Sequence, residues 1–172
     1  MDPQLLLCGE ALVCDPMLRI AQILVSALLG VLFTQSALDK VFDWSGNIGW
    51  ITEHFSKTPF RNVVKPMVGV LTLMEALTGA LCLVGALLIL GLRYTLVAEI
   101  GVVLAGITLL QLFAGQRIAK DYNGAAQIAP YFAIVILGLA IIIAVWTADA
   151  LLQVFTGHSL AGGADASDRL GG

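Results

Sequence analysis

The sequence predicts an all-α, polytopic membrane protein: four transmembrane helices in a bundle, with a short interfacial helix in the first connection. Three observations carry that prediction. Hydrophobic residues make up 59% of the 172 and charged residues only 12%, against about 45–50% and about 25% in soluble domains. The apolar residues fall into four long blocks almost free of charge. Within the blocks they do not alternate, as the strands of a membrane barrel would. A soluble globule of this size exposes much of its surface, and 12 acids, nine Lys and Arg, and two histidines cannot cover it. The same composition excludes a soluble enzyme and a disordered chain. A net charge of −3 leaves no basic footprint for nucleic acid.

Taken in order, residues 1–16 form an N-terminal tail. Asp2, Glu10 and Asp15 precede the first apolar block and no basic segment does, which argues against a cleaved signal peptide. The first span covers about residues 17–42 and is uncharged from Ile20 to Leu38. The connection from Asp39 to Lys65 carries most of the charge. Within it Ile48, Ile51 and Phe55 fall at i, i+3 and i+7, with Trp44 and Trp50 nearby. That pattern suits an amphipathic helix lying in the membrane interface. Thr58-Pro59 marks a turn, and Pro66 suits the first turn of the second span.

The second span covers about residues 66–90, and Glu75 is its one charge between Pro66 and Leu92. Only Gly91, Leu92 and Arg93 turn the chain, so the second and third spans are antiparallel neighbours. The third span covers about 93–115, with Glu99 the one charge between Tyr94 and Gln116. The fourth covers about 127–155 and is uncharged from Gln127 to Ala148. Every block has at least 19 residues, and about 20 cross a hydrocarbon core roughly 30 Å thick. The bundle thus occupies residues 17–156, followed by a small, polar, flexible tail over 157–172. Cys82, inside the second span, reads as a small packing residue.

Lys40, Lys57, Arg61, Lys65, Arg117 and Lys120 lie on the side of the long connections, against Arg19, Arg93 and Arg169 on the other. The positive-inside rule then places those connections in the cytoplasm and both termini outside, in a multi-pass protein of the cell's inner (cytoplasmic) membrane. Cys8 and Cys14 would meet an oxidising compartment there. A disulfide between them and two free thiols are both open readings.

Ionisable residues at membrane depth carry the functional signal. A mid-bilayer carboxylate costs about 2.5–3.5 kcal/mol on insertion scales, so Glu75 and Glu99 require a reason. Gly69, Thr72, Ala76, Gly79 and Ala86 recur around Glu75 as a small-residue face, and Glu99 shares a face with Thr95, Ala98, Val102 and Gly106. Small faces are where membrane helices approach, so both acids are expected to face the bundle interior. Glu75 lies roughly 13 Å below the side of the long connections, and Glu99 roughly 9 Å below the opposite side. They do not touch but belong to one polar seam. Lys40, about 6 Å inside the interface marked by Trp44, is the expected partner of Glu75. Three readings stand. The seam is a structural Lys–Glu pair fixing helix register, or a quinone site with Lys40, Glu75, Glu99 and Gln111 around the head group and Tyr94 or Tyr131 as further carbonyl contacts, or a proton or ion pathway.

Other chemistries lack their residues. His54 and His158 both lie outside the four uncharged blocks, so no axial pair for a membrane haem is present. There is no Cys-x-x-Cys, no Cys/His set at zinc spacing and no phosphate-binding glycine loop.

Gly30-Val-Leu-Phe33, then Leu38-Asp39-Lys40-Val41-Phe42, then an interfacial segment with Thr58-Pro59, resembles the opening of DoxX-like membrane proteins. Glu75-Ala-Leu-Thr-Gly79, leading to Gly85, is similar to that family's Glu followed by glycines. Ala37 stands where the family often has glycine. The resemblance spans roughly Met17 to Trp146 and implies a four-helix membrane subunit of a quinone-linked electron-transfer assembly. It further implies Lys40 and Glu75 as a polar pair, the lipid bilayer and larger oxidoreductase subunits as partners, and a quinone as the cofactor, with no group bound covalently. Glu99 rests on the reading of the residues alone. The function expected is that of an accessory or structural subunit, not catalytic alone, with a non-redox scaffold or a small proton or solute transporter as the alternatives.

Overall fold

A computed structural model describes residues 16–169, with side chains described over 17–147. Cys8, Cys14 and the rest of the expected N-terminal tail lie outside the described residues. Among the described residues five helices follow one another: α1 (Pro16–Phe42), α2 (Trp44–His54), α3 (Val64–Leu92), α4 (Leu96–Ile118) and α5 (Tyr122–Arg169). Four of them hold stretches long and apolar enough to cross a bilayer: Met17–Phe42, Val64–Leu92, Leu96–Ile118 and Tyr122–Thr147. The chain is a multi-pass membrane protein, helical throughout its regular structure among the described residues.

Local chemistry sets the breaks. Asp43 stops α1 and caps α2, its carboxylate accepting from the Gly46 N–H at 3.1 Å, the usual role of Asp at a helix start. Asn47 pins the bend by donating through Nδ2 to the Asp43 carbonyl at 2.8 Å and the Asp39 carbonyl at 3.3 Å. Thr58 closes the end of α2, donating to the Phe55 carbonyl at 2.9 Å. At the α4–α5 turn Lys120 is left-handed, with φ 63°. Its N–H donates to the Arg117 carbonyl and the Asp121 N–H to the Gln116 carbonyl, which is a Schellman closure. Asp121 then caps α5 by accepting from the Gly124 N–H at 2.8 Å.

Helix ends differ from the hydropathy boundaries because hydropathy marks the hydrocarbon, not the hydrogen-bonded backbone. Gly91 and Leu92 remain helical, and the expected three-residue turn falls instead on Arg93 to Thr95. α5 starts at Tyr122, earlier than the expected 127, because the Asp121 cap starts it there. Its backbone stays helical to Arg169, through most of the segment read as a flexible tail. Alanine-rich sequence with no proline after Pro130 permits this. A helix of 48 residues rises about 72 Å, more than twice the hydrocarbon thickness, so only its first part is a span.

α1 packs on α3, α3 on α4, α4 on α5, and α5 closes back on α1. Close approach rests on two glycines. A Cβ on Gly79 would stand 2.8 Å from the Thr34 backbone nitrogen of α1, and one on Gly85 would stand 2.5 Å from the Cα of Ala98 in α4. The interior between them holds Leu29, Phe33, Cys82, Val102 and Val135. Thr78 and Thr108 face each other there with oxygens 3.1 Å apart, each also within reach of its own helix's carbonyls. Large apolar side chains such as Leu24, Leu77, Leu87, Leu90 and Ile136 are exposed. Small and hydroxylic residues inside with leucine outside is an arrangement for lipid, where packing and not apolar burial joins helices.

Arg93 carries a φ of 59° at the end of α3, a conformation costing a non-glycine residue about 1 kcal/mol. Arg93→Gly is expected to raise the unfolding temperature in detergent by a few degrees. An unchanged or lower midpoint would mean that the arginine side chain contributes more than the strain costs.

Candidate functional site

Ser36 and Lys40 lie one turn apart on α1 and therefore on one face. That face meets α3 at Glu75, whose side chain is completely buried. Lys40 Nζ stands 2.9 Å from Glu75 Oε2 and 3.0 Å from Oε1. It also donates to Ser36 Oγ at 2.9 Å and to the Ser36 carbonyl at 3.2 Å. Ser36 in turn donates to Glu75 Oε1 at 3.0 Å. The expected Lys40–Glu75 pair is therefore present, and Ser36 is a third member that sequence reasoning passed over. Its spacing of four from Lys40 was the available signal. An ammonium has three N–H donors, and all three are engaged within this cluster. Glu75 Oε2 makes the ion-pair contact but accepts no well-aligned hydrogen bond, the one such buried atom among the described residues.

The small-residue face around Glu75 is largely as expected. Thr72, Gly79 and Ala86 are buried beside it and Gly69 packs near Trp44, but Ala76 lies on the exposed side of α3. The Lys40 side chain is 14% exposed where Glu75 is fully covered. The lysine reaches the wall of a cavity of about 660 Å³ and the carboxylate does not. This cavity lies between α2, the start of α3 and the end of α4. Its polar lining comes from Lys40, Asn47, His54, Gln111 and Gln116, among apolar residues that include Trp50, Phe55, Met67 and Leu71. A mostly apolar concavity of 300–1,000 Å³ with a few placed polar groups is the usual form of a small-molecule site.

α2 forms one long side of this cavity. Asn47, Trp50, Ile51 and His54 fall at i, i+3, i+4 and i+7 and all line it, while Ile48 and Phe55 anchor the helix against Val64 and Val68. His54 stacks on Trp50 with ring centroids 4.9 Å apart. Its Nε2 lies 3.3 Å from Gln116 Oε1 and 3.7 Å from Asp121 Oδ2, tying α2 to the α4–α5 turn. His54 and Gln116 are functional candidates that sequence reasoning missed. The stripe on α2 was the signal, read at the time only for its apolar members.

Gln111 takes its place on this cavity wall together with Lys40. Glu99 does not join them. It sits in the first turn of α4, half-buried, beside a groove between α4 and α5 that Trp146 and Leu139 also line. No hydrogen bond or ion pair to a described residue holds it. It also lines a small pocket among the helices with Gln22 and Ser26 of α1 and Ile89 of α3, so it faces partly inward, but it lines no part of the Lys40 cavity. Arg93 to Thr95 are turn and not helix, so Glu99 lies only about 4.5 Å past the helix start. There the positive end of the α4 dipole favours a carboxylate, which supplies the reason its position required. Tyr94 and Tyr131 are exposed and line no part of the Lys40 cavity. Among the described residues, no group of three or more His, Cys, Asp or Glu side chains is placed to hold a metal ion.

Comparison with protein-family models, with curated proteins and with solved structures finds no match to this chain.

Proposed function

We propose that the chain is an accessory subunit of a quinone-linked electron-transfer assembly, and that the cavity beside Lys40 holds the quinone head group. The observation that carries this reading is one cavity of about 660 Å³ joining apolar walls to Lys40, with Glu75 buried behind the lysine, and to Gln111. An amphipathic ring drawn from the bilayer needs that combination. Lys40 supplies the cation at the cavity wall, donating to a ring oxygen by exchanging its longest contact, the 3.2 Å one to the Ser36 carbonyl, and Glu75 compensates its charge where water is scarce. Ser36 holds both in register. A quinone, when bound, supplies an acceptor of two electrons and two protons. The electrons come from a partner protein, and the DoxX-like resemblance supports that part of the reading. The excess of Lys and Arg on the α2 side supports an inner-membrane protein with that side cytoplasmic and the termini outside.

The test uses the protein in lipid nanodiscs with Trp44 and Trp146 replaced by Phe, leaving Trp50 on the cavity wall. A decyl-1,4-benzoquinone should quench Trp50 fluorescence saturably. In the Lys40→Met, Glu75→Leu double variant, which removes the charge pair as a unit, affinity should fall by about tenfold or more. Quenching that rises in proportion to quinone in the lipid, without saturation, would contradict the proposal.

A second reading is favoured by the engagement of all three Lys40 donors within the protein. Under it the chain is a non-redox scaffold and the pair only fixes helix register. The same double variant then leaves quinone binding unaffected.

A further inference from the structure

The polar groups of the cavity stand at its two ends. Lys40 and Asn47 belong to the bend between α1 and α2, whereas His54 and Gln116 meet where α2 reaches the end of α4. Asn47 and His54 are seven residues apart on one helix, which separates the two ends by roughly 10 Å. The lining of α2 between them is apolar, from Trp50 and Ile51. Two hydrogen bonds of about 2.8 Å with one six-membered ring between their acceptors fill that length.

The second end is set up as a donor. Gln116 Oε1 lies 3.3 Å from His54 Nε2, and the Gln116 amide nitrogen is left with no partner among the described residues. The ring itself cannot swing away: it is stacked on Trp50 and set edge-on to Phe55. Gln116 is held from behind, since a Cβ on Gly124 would come within 2.8 Å of its Cδ. Asp121 Oδ2 stands 3.7 Å from the same Nε2, on the α4–α5 turn.

We infer that the site recognises a 1,4-quinone ring at both of its oxygens, Lys40 at one and the Gln116 amide at the other, with His54 as the residue that positions Gln116. This rests on the quinone-binding reading above and extends it to a ligand class: rings with two opposed acceptors, in preference to rings with one.

The experiment measures scintillation-proximity binding of tritiated decyl-1,4-benzoquinone to the full chain in nanodiscs. A decyl-substituted ring with a single carbonyl serves as unlabelled competitor. Gln116→Leu is expected to weaken quinone binding about tenfold and to leave the competitor's affinity unchanged. His54→Phe, which keeps a ring stacked on Trp50, should do the same to a smaller degree. Equal losses for both ligands, or no loss for either, with wild-type quinone binding intact, would overturn the inference about Gln116 and leave the cavity assignment standing. Absence of saturable quinone binding to the wild-type chain would overturn both.

Discussion

Glu75→Gln is expected to destabilise the bundle by about 3–5 kcal/mol, the usual cost of removing one partner from a buried ion pair. The carboxylate is fully covered and its lysine nearly so, so the change strands an ammonium among apolar helices. The Gln carbonyl oxygen can still accept from Ser36, so what is lost is the charge opposite the lysine. Lys40→Ala should cost a similar amount by leaving the carboxylate alone. The effects should not add: Lys40→Met with Glu75→Leu removes both charges and should recover most of the loss. Steric trapping or reversible unfolding in mixed micelles of the wild type, Lys40→Met, Glu75→Leu and the double variant gives the four corners of the cycle. A coupling energy under about 0.5 kcal/mol would mean the two side chains act independently.

Gly79→Leu should be at least as damaging, by more than about 3 kcal/mol. Even the first carbon of the new side chain meets the Thr34 backbone at 2.8 Å, and backbone cannot rotate aside. α1 and α3 must part. Glu75 lies one helical turn away on the same face, so the parting also stretches the contact to Lys40. Overpacking and loss of the ion pair thus arrive together. The control is Ala76→Leu, three residues earlier on the exposed side of α3, which places its bulk in lipid and should be tolerated. Circular dichroism melts of the two variants in one detergent make the comparison. Similar melts would show that α1 and α3 do not depend on this approach.

The fold was legible because hydrocarbon thickness imposes a length and an absence of charge that few other structures require. Lys40 and Glu75 were legible for a related reason: a charge at depth needs a partner, and helical rise indicates which residues share that depth. The depth of Glu99 was overcounted because the same arithmetic started at Arg93, and hydropathy cannot tell a left-handed turn residue from the first residue of a helix. The cavity was not legible at all. Its lining is assembled from four helices, and α2 is placed by the Asp43 cap, the Asn47 side chain and the His54–Gln116 contact. Asn47 and His54 share a stripe on α2 with Trp50 and Ile51, but a single sequence gives no sign that Gln116 meets it. Apart from one another they look like ordinary polar residues at a membrane surface.

The most direct measurement is photolabelling of the nanodisc-embedded chain with an azido-1,4-benzoquinone, followed by mass spectrometry of the labelled peptides. Label should concentrate on the cavity wall, at Trp50, Met67 and Leu71 of α2 and α3 and around Gln111 of α4, and should disappear with excess unlabelled quinone. Label spread over the lipid-facing side chains of α5, such as Ile136 and Ile143, and undiminished by competitor would contradict a quinone site beside Lys40.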